Sequence, residues 1–114
     1  MPYEFNGQTI ETDANGFLVN VEDWSEELAP IIAQSEDIDE LTEKHWDLIN
    51  YLRDEYINNS GNQPNMRNIV KAMQKQWGDK SINAKSLYEL FPKNPDKEGS
   101  KIGGLPDTKR KGGY

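Results

Sequence analysis

The sequence predicts a mainly α-helical α+β domain, in which a small N-terminal β-hairpin precedes a helical bundle and a flexible C-terminal arm follows it. Apolar residues spaced three and four apart predict the helices, and an Asn-Gly pair inside an alternating stretch predicts the hairpin. A length of 114 residues suits one domain with one modest core. We therefore expect a single domain over residues 1–114, with a folded body in residues 1–92 and an arm in residues 93–114.

The N-terminal stretch YEFNGQTIET carries the hairpin signal. Tyr3 and Phe5 alternate with polar residues, as in a strand with one buried face. Asn6 and Gly7 separate two extended runs, and both residue types tolerate the positive φ angles of a tight turn. The stretch is therefore predicted to form two antiparallel strands.

The stretch DWSEELAPIIAQSE predicts a first, short helix. Ser25 is placed to accept hydrogen bonds from the free amides of a first turn, and Leu28, Ile31 and Ile32 would form an apolar face. Pro30 lies deep for such a helix, since proline removes a backbone donor. We expect a distorted or short first turn.

The stretch LTEKHWDLINYLRDEYINNSG predicts a central helix, because its apolar residues cover about half of the helix circumference. Thr42 is placed to cap its N-terminus. His45 falls within the apolar arc, and the sequence offers no cysteine and no second histidine to complete a metal site with it. We therefore expect His45 to have a structural role near the helix start.

Two further helices are predicted after residue 63. In PNMRNIVKAMQKQWG, Pro64 is expected at the first helical position and Gly78 at the end. AKSLYELFP then predicts a short helix that ends at Pro92. The longer helix carries an apolar stripe that is expected to pack in the core: Met66, Ile69, Val70, Met73 and Trp77.

A row of basic residues lies beside that apolar stripe. Arg67, Lys71 and Lys75 follow one another at intervals of four, and Lys80 and Lys85 come next in the sequence. Two short helices joined by a glycine-containing turn fit a helix-turn-helix element, with these five residues as candidate phosphate contacts, or a simple helical hairpin. DNA is therefore one candidate partner.

The charge is divided between the two halves of the chain. Residues 1–59 carry 15 acidic and two basic residues, a net charge of −13, whereas residues 60–114 carry 11 basic and five acidic residues, a net charge of +6. This division predicts either attraction between the halves within the fold or a basic C-terminal surface that binds an anionic partner.

The composition excludes several kinds of chemistry. The sequence contains no cysteine and one histidine, so it offers no disulfide, no thiolate nucleophile and no metal centre built from those residues. No nucleotide-binding loop or catalytic motif is found, so we expect no enzyme activity, no cofactor and no metal. No long apolar run or leader is found either, which predicts a cytoplasmic protein without a membrane span.

Five segments follow one another in this order: NGQTIETDANGFLVN, ELTEKHWDLINYLRDEY, PNMRNIVKAM, SLYELFP and KIGGLP. Their order and spacing resemble the DsrC/TusE family of small sulfur-relay proteins, which includes proteins like the gamma subunit of dissimilatory sulfite reductase. The resemblance implies a helical body with an N-terminal hairpin, a helix-turn-helix-like element and a mobile C-terminal arm. It also implies an arm that carries sulfur as a persulfide on a penultimate cysteine, in sulfite reduction, sulfur oxidation or tRNA thiolation.

The chain departs from the family pattern at the sulfur-carrying positions. The resemblance matches the earlier of two family cysteines to Ser100, and the terminal one to Lys111 by spacing or to Gly113 by its penultimate position. None of these is cysteine, and a serine hydroxyl titrates far too high to replace a thiolate unaided. The resemblance therefore indicates a cysteine-free paralogue without catalytic residues.

This resemblance points to a monomer that docks on, or regulates, a sulfite reductase or a sulfur-relay complex. Ile102 and Leu105 are expected to enter an apolar pocket of that partner. Two alternatives stay open: a DNA-binding regulator, and a sulfur carrier whose native cysteines have been replaced in this sequence. The glycine-rich last residues are expected to be mobile. The arm residues expected to bind the partner are Lys101, Ile102, Gly103, Gly104, Leu105 and Pro106.

Overall fold

A computed structural model describes residues 3–5 and 7–106 of the chain. Two short strands precede five helices, and a 3₁₀ turn at Val21–Asp23 lies between them. This order confirms the predicted fold class, a mainly helical α+β domain with an N-terminal hairpin. The elements are β1 (Tyr3–Phe5), β2 (Gln8–Ile10), α1 (Ala29–Ser35), α2 (Glu43–Asn58), α3 (Met66–Trp77), α4 (Ala84–Leu90) and α5 (Pro95–Ile102).

The hairpin forms as predicted. Strands β1 and β2 are antiparallel, with Tyr3 opposite Ile10 and Phe5 opposite Gln8. Ile10 is buried in the core, and the Tyr3 hydroxyl donates a hydrogen bond to the Gly16 carbonyl over 3.3 Å. The hairpin is thereby attached to the loop that follows it.

Helix α1 begins later than the sequence suggested. Its first residue is Ala29, so Pro30 lies in the first turn, where the missing N–H has no intrahelical partner to lose. Ser25 instead accepts a hydrogen bond from the Leu28 amide over 3.2 Å, in the turn before the helix. The position of the proline therefore determines where the helix starts.

Helix α2 supplies much of the core, as predicted for the central helix. Leu48, Ile49 and Leu52 are buried, whereas Ile57, near the C-terminal end, is 54% exposed. The helix packs against α3 and α5. No helix in residues 3–5 and 7–106 has the length and apolar character needed to cross a membrane.

His45 has the predicted structural role at the start of α2. Its Nδ1 accepts a hydrogen bond from the Thr42 amide over 3.0 Å. The neutral ring then carries its proton on Nε2, which lies 2.8 Å from the Leu90 carbonyl and donates to it. The imidazole therefore connects the beginning of α2 to the end of α4.

Helices α3 and α4 match the two helices predicted after residue 63, with differences at their ends. Met66, rather than Pro64, is the first residue of α3, and Asn65 caps the helix because its side chain accepts a hydrogen bond from the Asn68 amide over 2.9 Å. Gly78 ends α3 in a left-handed conformation with φ of 60°. Residues 78–83 connect the two helices, a longer connection than the turn of about three or four residues in a DNA-binding helix-turn-helix. This geometry gives no support to the DNA-binding interpretation.

The expected boundary between body and arm at residue 92 does not fit the packing. Helix α5 contacts each of the other four helices. A β-carbon on Gly99 would lie 2.7 Å from Leu52 Cδ1 in α2, so the two helices approach closely at this glycine. The packed body therefore extends to Pro106. The predicted mobility of the last residues concerns residues 107–114, which lie outside the described part of the chain.

Candidate functional site

The end of α5 and the loop after it form a buried turn, which we call the C-terminal anchor (residues 99–106). Gly104 adopts a φ of 73°, the left-handed conformation that commonly ends helices. The chain thus leaves the helix inside the packed body. Three backbone hydrogen bonds close the turn. The amides of Gly103, Gly104 and Leu105 donate to the carbonyls of Gly99 (2.9 Å), Lys101 (3.1 Å) and Ser100 (2.8 Å), respectively.

Trp24 and Arg53 hold the middle of the anchor. Trp24 Nε1 donates a hydrogen bond to the Ile102 carbonyl over 2.8 Å, and the Arg53 guanidinium donates one to the Gly103 carbonyl over 2.6 Å. The guanidinium also lies 3.9 Å from the centroid of the Trp24 ring, a cation–π arrangement. Burial lowers the pKa of Arg53 from its usual value. The two side chains therefore support each other as well as the anchor.

Gln63 holds the end of the anchor. Its Nε2 donates a hydrogen bond to the Pro106 carbonyl over 2.9 Å. Pro106 is the last residue that the structure describes. The point from which residue 107 continues is therefore fixed beside the loop between α2 and α3.

The burial of Ile102 and Leu105 corrects their expected role. They are 0% and 1% exposed and belong to the core of the chain itself, so they cannot also enter a pocket on a partner. Of the six residues expected to bind a partner, only Lys101 and Pro106 keep partial exposure. The remaining four stabilise the fold.

The position matched to the earlier family cysteine is enclosed. Ser100 lies in α5 and is 1% exposed. Its hydroxyl is neither a thiolate nor open to a reacting partner. Lys111 and Gly113, the two positions matched to the terminal cysteine, lie outside the described residues.

A cavity of about 380 Å³ lies along α5. Glu36, at the C-terminal end of α1, lies 3.0 Å from Lys101 Nζ and 3.9 Å from Lys93 Nζ. These ion pairs join the basic C-terminal half to the acidic N-terminal half. They agree with the first interpretation of the charge division, attraction between the two halves within the fold. The charged side chains that line the cavity are Lys93, Lys97, Lys101, Glu36 and Glu98.

Glu98 is a buried carboxylate in the lining of this cavity. Its Oε1 accepts hydrogen bonds from the amides of Lys93 (2.7 Å) and Asn94 (3.2 Å). Its Oε2 has no hydrogen-bond partner among the described residues. Burial raises the pKa of Glu98 above its usual value, and the charge of Glu36 adds to the increase, although the two amide hydrogen bonds oppose it. Sequence reasoning missed this residue, because a lone glutamate in a charged stretch has no distinguishing local pattern.

The basic residues proposed as phosphate contacts are only partly brought together. Lys71, Lys75 and Lys80 line a shallow hollow of about 300 Å³, and Arg67 and Lys85 do not line it. All five are exposed. Within residues 3–5 and 7–106, no group of three or more histidine, aspartate or glutamate side chains is arranged to hold a metal ion.

A protein-family model described as DsrC like protein matches residues 4–110 of the chain. The chain belongs to the DsrC-like family. The match includes all five helices and the C-terminal anchor of this DsrC-like protein. It confirms the resemblance predicted from the five sequence segments.

Relatives and solved structures agree with the assignment of this DsrC-like protein. The protein named sulfurtransferase TusE from Yersinia pseudotuberculosis serotype I (strain IP32953) is 47% identical over 103 residues, which cover 90% of this chain and 94% of the relative. The crystal structure of the oxidized gamma-subunit of the dissimilatory sulfite reductase (DsrC) from Archaeoglobus fulgidus matches with a TM-score of 0.86 and 35% identity, over 97% of this chain and 99% of that chain. A chain in the crystal structure of dissimilatory sulfite reductase I (DsrI) matches with a TM-score of 0.78 and 31% identity, over the same shares.

Proposed function

We propose that this DsrC-like protein is a cytoplasmic, monomeric docking or regulatory protein that binds a sulfite reductase or a sulfur-relay complex without carrying sulfur itself. One observation carries the proposal: the C-terminal anchor is complete, yet none of the 114 residues is a cysteine. A persulfide requires a thiol sulfur. The chain therefore has the C-terminal anchor, which fixes the start of the terminal segment, but it lacks the cysteine thiol that would carry a persulfide.

The relatives support this choice of partner. One is named a sulfurtransferase, and a chain of similar fold occurs in a crystal structure of dissimilatory sulfite reductase I. Because Ile102 and Leu105 are buried in the core, we infer that a partner contacts the exposed surface beside the anchor and the residues after Pro106. The basic residues in that last segment, KRK, suit an acidic partner surface.

Affinity measurements with a purified partner test the proposal. We expect the full chain to bind a purified sulfite reductase or sulfur-relay complex from the same organism saturably. Truncation after Pro106 should weaken this binding on the order of tenfold, because the basic segment and its contacts are lost while the anchor remains. Replacing Lys71 and Lys75 with glutamine is the matched control, and it should leave the affinity unchanged. Equal affinity for the full and truncated chains would contradict the proposed contact surface.

The same preparation tests whether the chain carries sulfur. After incubation with a cysteine desulfurase as persulfide donor, the intact mass should stay unchanged, since no thiol is available. A stable added sulfur atom would overturn the non-carrier proposal.

DNA binding is a second proposal, and a separate observation favours it. Lys71, Lys75 and Lys80 concentrate positive charge around one hollow, where a phosphate group would be attracted. Binding to duplex DNA that weakens steeply with salt, and that is lost when Lys71 and Lys75 are replaced by glutamine, would support this function in place of docking.

A further inference from the structure

Helix α5 carries a buried carboxyl group in its N-terminal half. Glu98 is 3% exposed, and it precedes Gly99, where α5 and α2 approach each other closely. Burial removes most of the water that would hydrate a carboxylate, and this loss is costly unless hydrogen bonds or opposite charges replace it. The surroundings of Glu98 therefore determine which protonation state the fold prefers.

Hydrogen bonds within the described residues satisfy one of the two carboxyl oxygens of Glu98. Its Oε1 accepts them from the amides of Lys93 (2.7 Å) and Asn94 (3.2 Å), which connects the side chain to the residues just before α5. Its Oε2 is buried and has no hydrogen-bond partner among the described residues. An ionised carboxylate places negative charge on both oxygens, whereas a protonated carboxyl group is neutral and still offers an acceptor to the two amides. This environment therefore favours the protonated form.

The charged groups around Glu98 do not reverse this preference. The carboxylate of Glu36, at the end of α1, repels a negative charge on Glu98, whereas the ammonium group of Lys93, before α5, attracts it. No charged group of α2, α3 or α4 is among the described groups that shift the pKa of Glu98. Burial has the largest effect, and it raises this pKa above the usual value for glutamate. The other charged side chains of α5 are Asp96, Lys97 and Lys101.

We propose that Glu98 makes the entry segment (residues 93–98) a pH-sensitive latch, which the protonated side chain keeps closed and its ionisation opens, while the C-terminal anchor stays folded. On opening, the carboxyl proton passes to water, the two hydrogen bonds to Oε1 break, and water hydrates both carboxylate oxygens. Four of the six residues of the entry segment line the cavity along α5, so opening changes the shape of this cavity. The latch does not depend on a partner, so it can fail without affecting the proposed docking function.

The direction of the pH dependence follows from the two states of the entry segment. In the open segment Glu98 is hydrated and has the usual glutamate pKa of about 4.3, whereas in the closed segment its pKa is higher. Between these two values the open form has released a proton that the closed form keeps. Rising pH therefore favours opening there, by up to about tenfold per pH unit. The closed segment is most stable below about pH 4.3, and it loses this stability as the pH rises through the raised pKa.

Hydrogen exchange of the full chain from about pH 4 to about pH 8 tests the latch. We expect the protection factors of the Lys93 and Asn94 amides, which are corrected for the intrinsic exchange rate, to fall by up to about tenfold per pH unit over part of this range. At about pH 8 they should be at least about tenfold below the protection factor of Leu105, because the anchor stays folded when the entry segment opens. Protection that does not change with pH, or that equals the protection of Leu105 throughout, would overturn the proposal.

Two variants connect the pH dependence to Glu98. Glu98→Gln keeps an oxygen acceptor for the two amides and is neutral at every pH, so the protection of the Lys93 and Asn94 amides should no longer fall as the pH rises. Glu40→Gln, at an exposed position before α2, is the matched control and should behave as the unmodified chain does. If Glu98→Gln kept the pH dependence of the unmodified chain, another group would be responsible and the proposal would be wrong.

The ionisation of Glu98 can also be followed directly in the unmodified chain, which keeps the proposal testable if Glu98→Gln does not fold. The resonance of the Glu98 carboxyl carbon reports the protonation state of the side chain. Its midpoint should lie above the usual value of about 4.3, and protection of the Lys93 and Asn94 amides should stop falling near the same pH. A midpoint at or below the usual value would contradict the latch.

Discussion

Replacing Leu105 with alanine is expected to lower the free energy of unfolding by about 2 to 5 kcal/mol, the range found for truncating buried leucine side chains. Leu105 is 1% exposed and belongs to the same core cluster as Leu48, Ile49 and Ile102. Its removal would leave a cavity between α5 and the body. Urea denaturation, followed by the change in tryptophan fluorescence, measures this loss.

Ile57→Ala is the matched control for this substitution. It also truncates a branched aliphatic side chain, but Ile57 is 54% exposed. Its cost should stay within about 0.5 kcal/mol, as for most surface substitutions. If Leu105→Ala kept the full stability and lost only partner binding, Leu105 would be a contact residue after all, and its placement in the core would be wrong.

Replacing Gly104 with alanine should cost at least about 2 kcal/mol, because two separate penalties add. The φ of 73° is unfavourable for any residue with a β-carbon. A β-carbon at this position would also lie 2.4 Å from the Trp24 β-carbon. The indole would have to move, which would disturb its hydrogen bond to the Ile102 carbonyl. Thermal unfolding of the variant measures the combined effect.

Gly78→Ala separates these two penalties. Gly78 has a similar φ of 60°, but a β-carbon there would meet no side chain from elsewhere in the fold within 4 Å. Its substitution should therefore show only the backbone penalty, about 1 kcal/mol. Equal losses for the two variants would mean that contact with Trp24 contributes nothing, and that the anchor is less tightly packed than we describe.

The sequence was sufficient to predict the hairpin and most of the helical body. Regular apolar spacing identified α2 and α3, and a glycine marked the end of α3 correctly. The structural role of His45 followed from the lack of a cysteine or a second histidine to complete a metal site with it. The start of α1 was placed too early, because Ser25 forms a hydrogen bond of the expected kind in a turn that precedes the helix.

The burial of α5 could not be predicted from its composition. Its segment PDKEGSKI contains a single large aliphatic residue, and a polar segment of this kind normally faces solvent. Here Glu98 and Ser100 are nonetheless buried. The sequence did contain a local signal for the C-terminal end of this helix, because glycine often follows the last residue of a helix and proline often comes soon after it.

The side chains that hold the anchor were also missed, for a different reason. Trp24, Arg53 and Gln63 are 78, 50 and 43 residues from the carbonyls that they bind. No periodic pattern links positions so far apart, and only the folded chain brings them together. The same holds for the cavity, whose lining comes from the loop before Leu18, the end of α1, the residues just before α5 and α5 itself.

The central claim is that residues 99–106 belong to the folded body and fix the point from which residue 107 continues. Hydrogen exchange at the amides of Gly103, Gly104 and Leu105 tests this claim most directly. Each amide donates a hydrogen bond inside the turn. If the anchor unfolds only with the whole domain, the Leu105 amide should exchange with the same free energy as the slowest amides of α2. Exchange of Leu105 within about tenfold of the rate for an unstructured chain, while the amides of α2 stay protected, would contradict the claim.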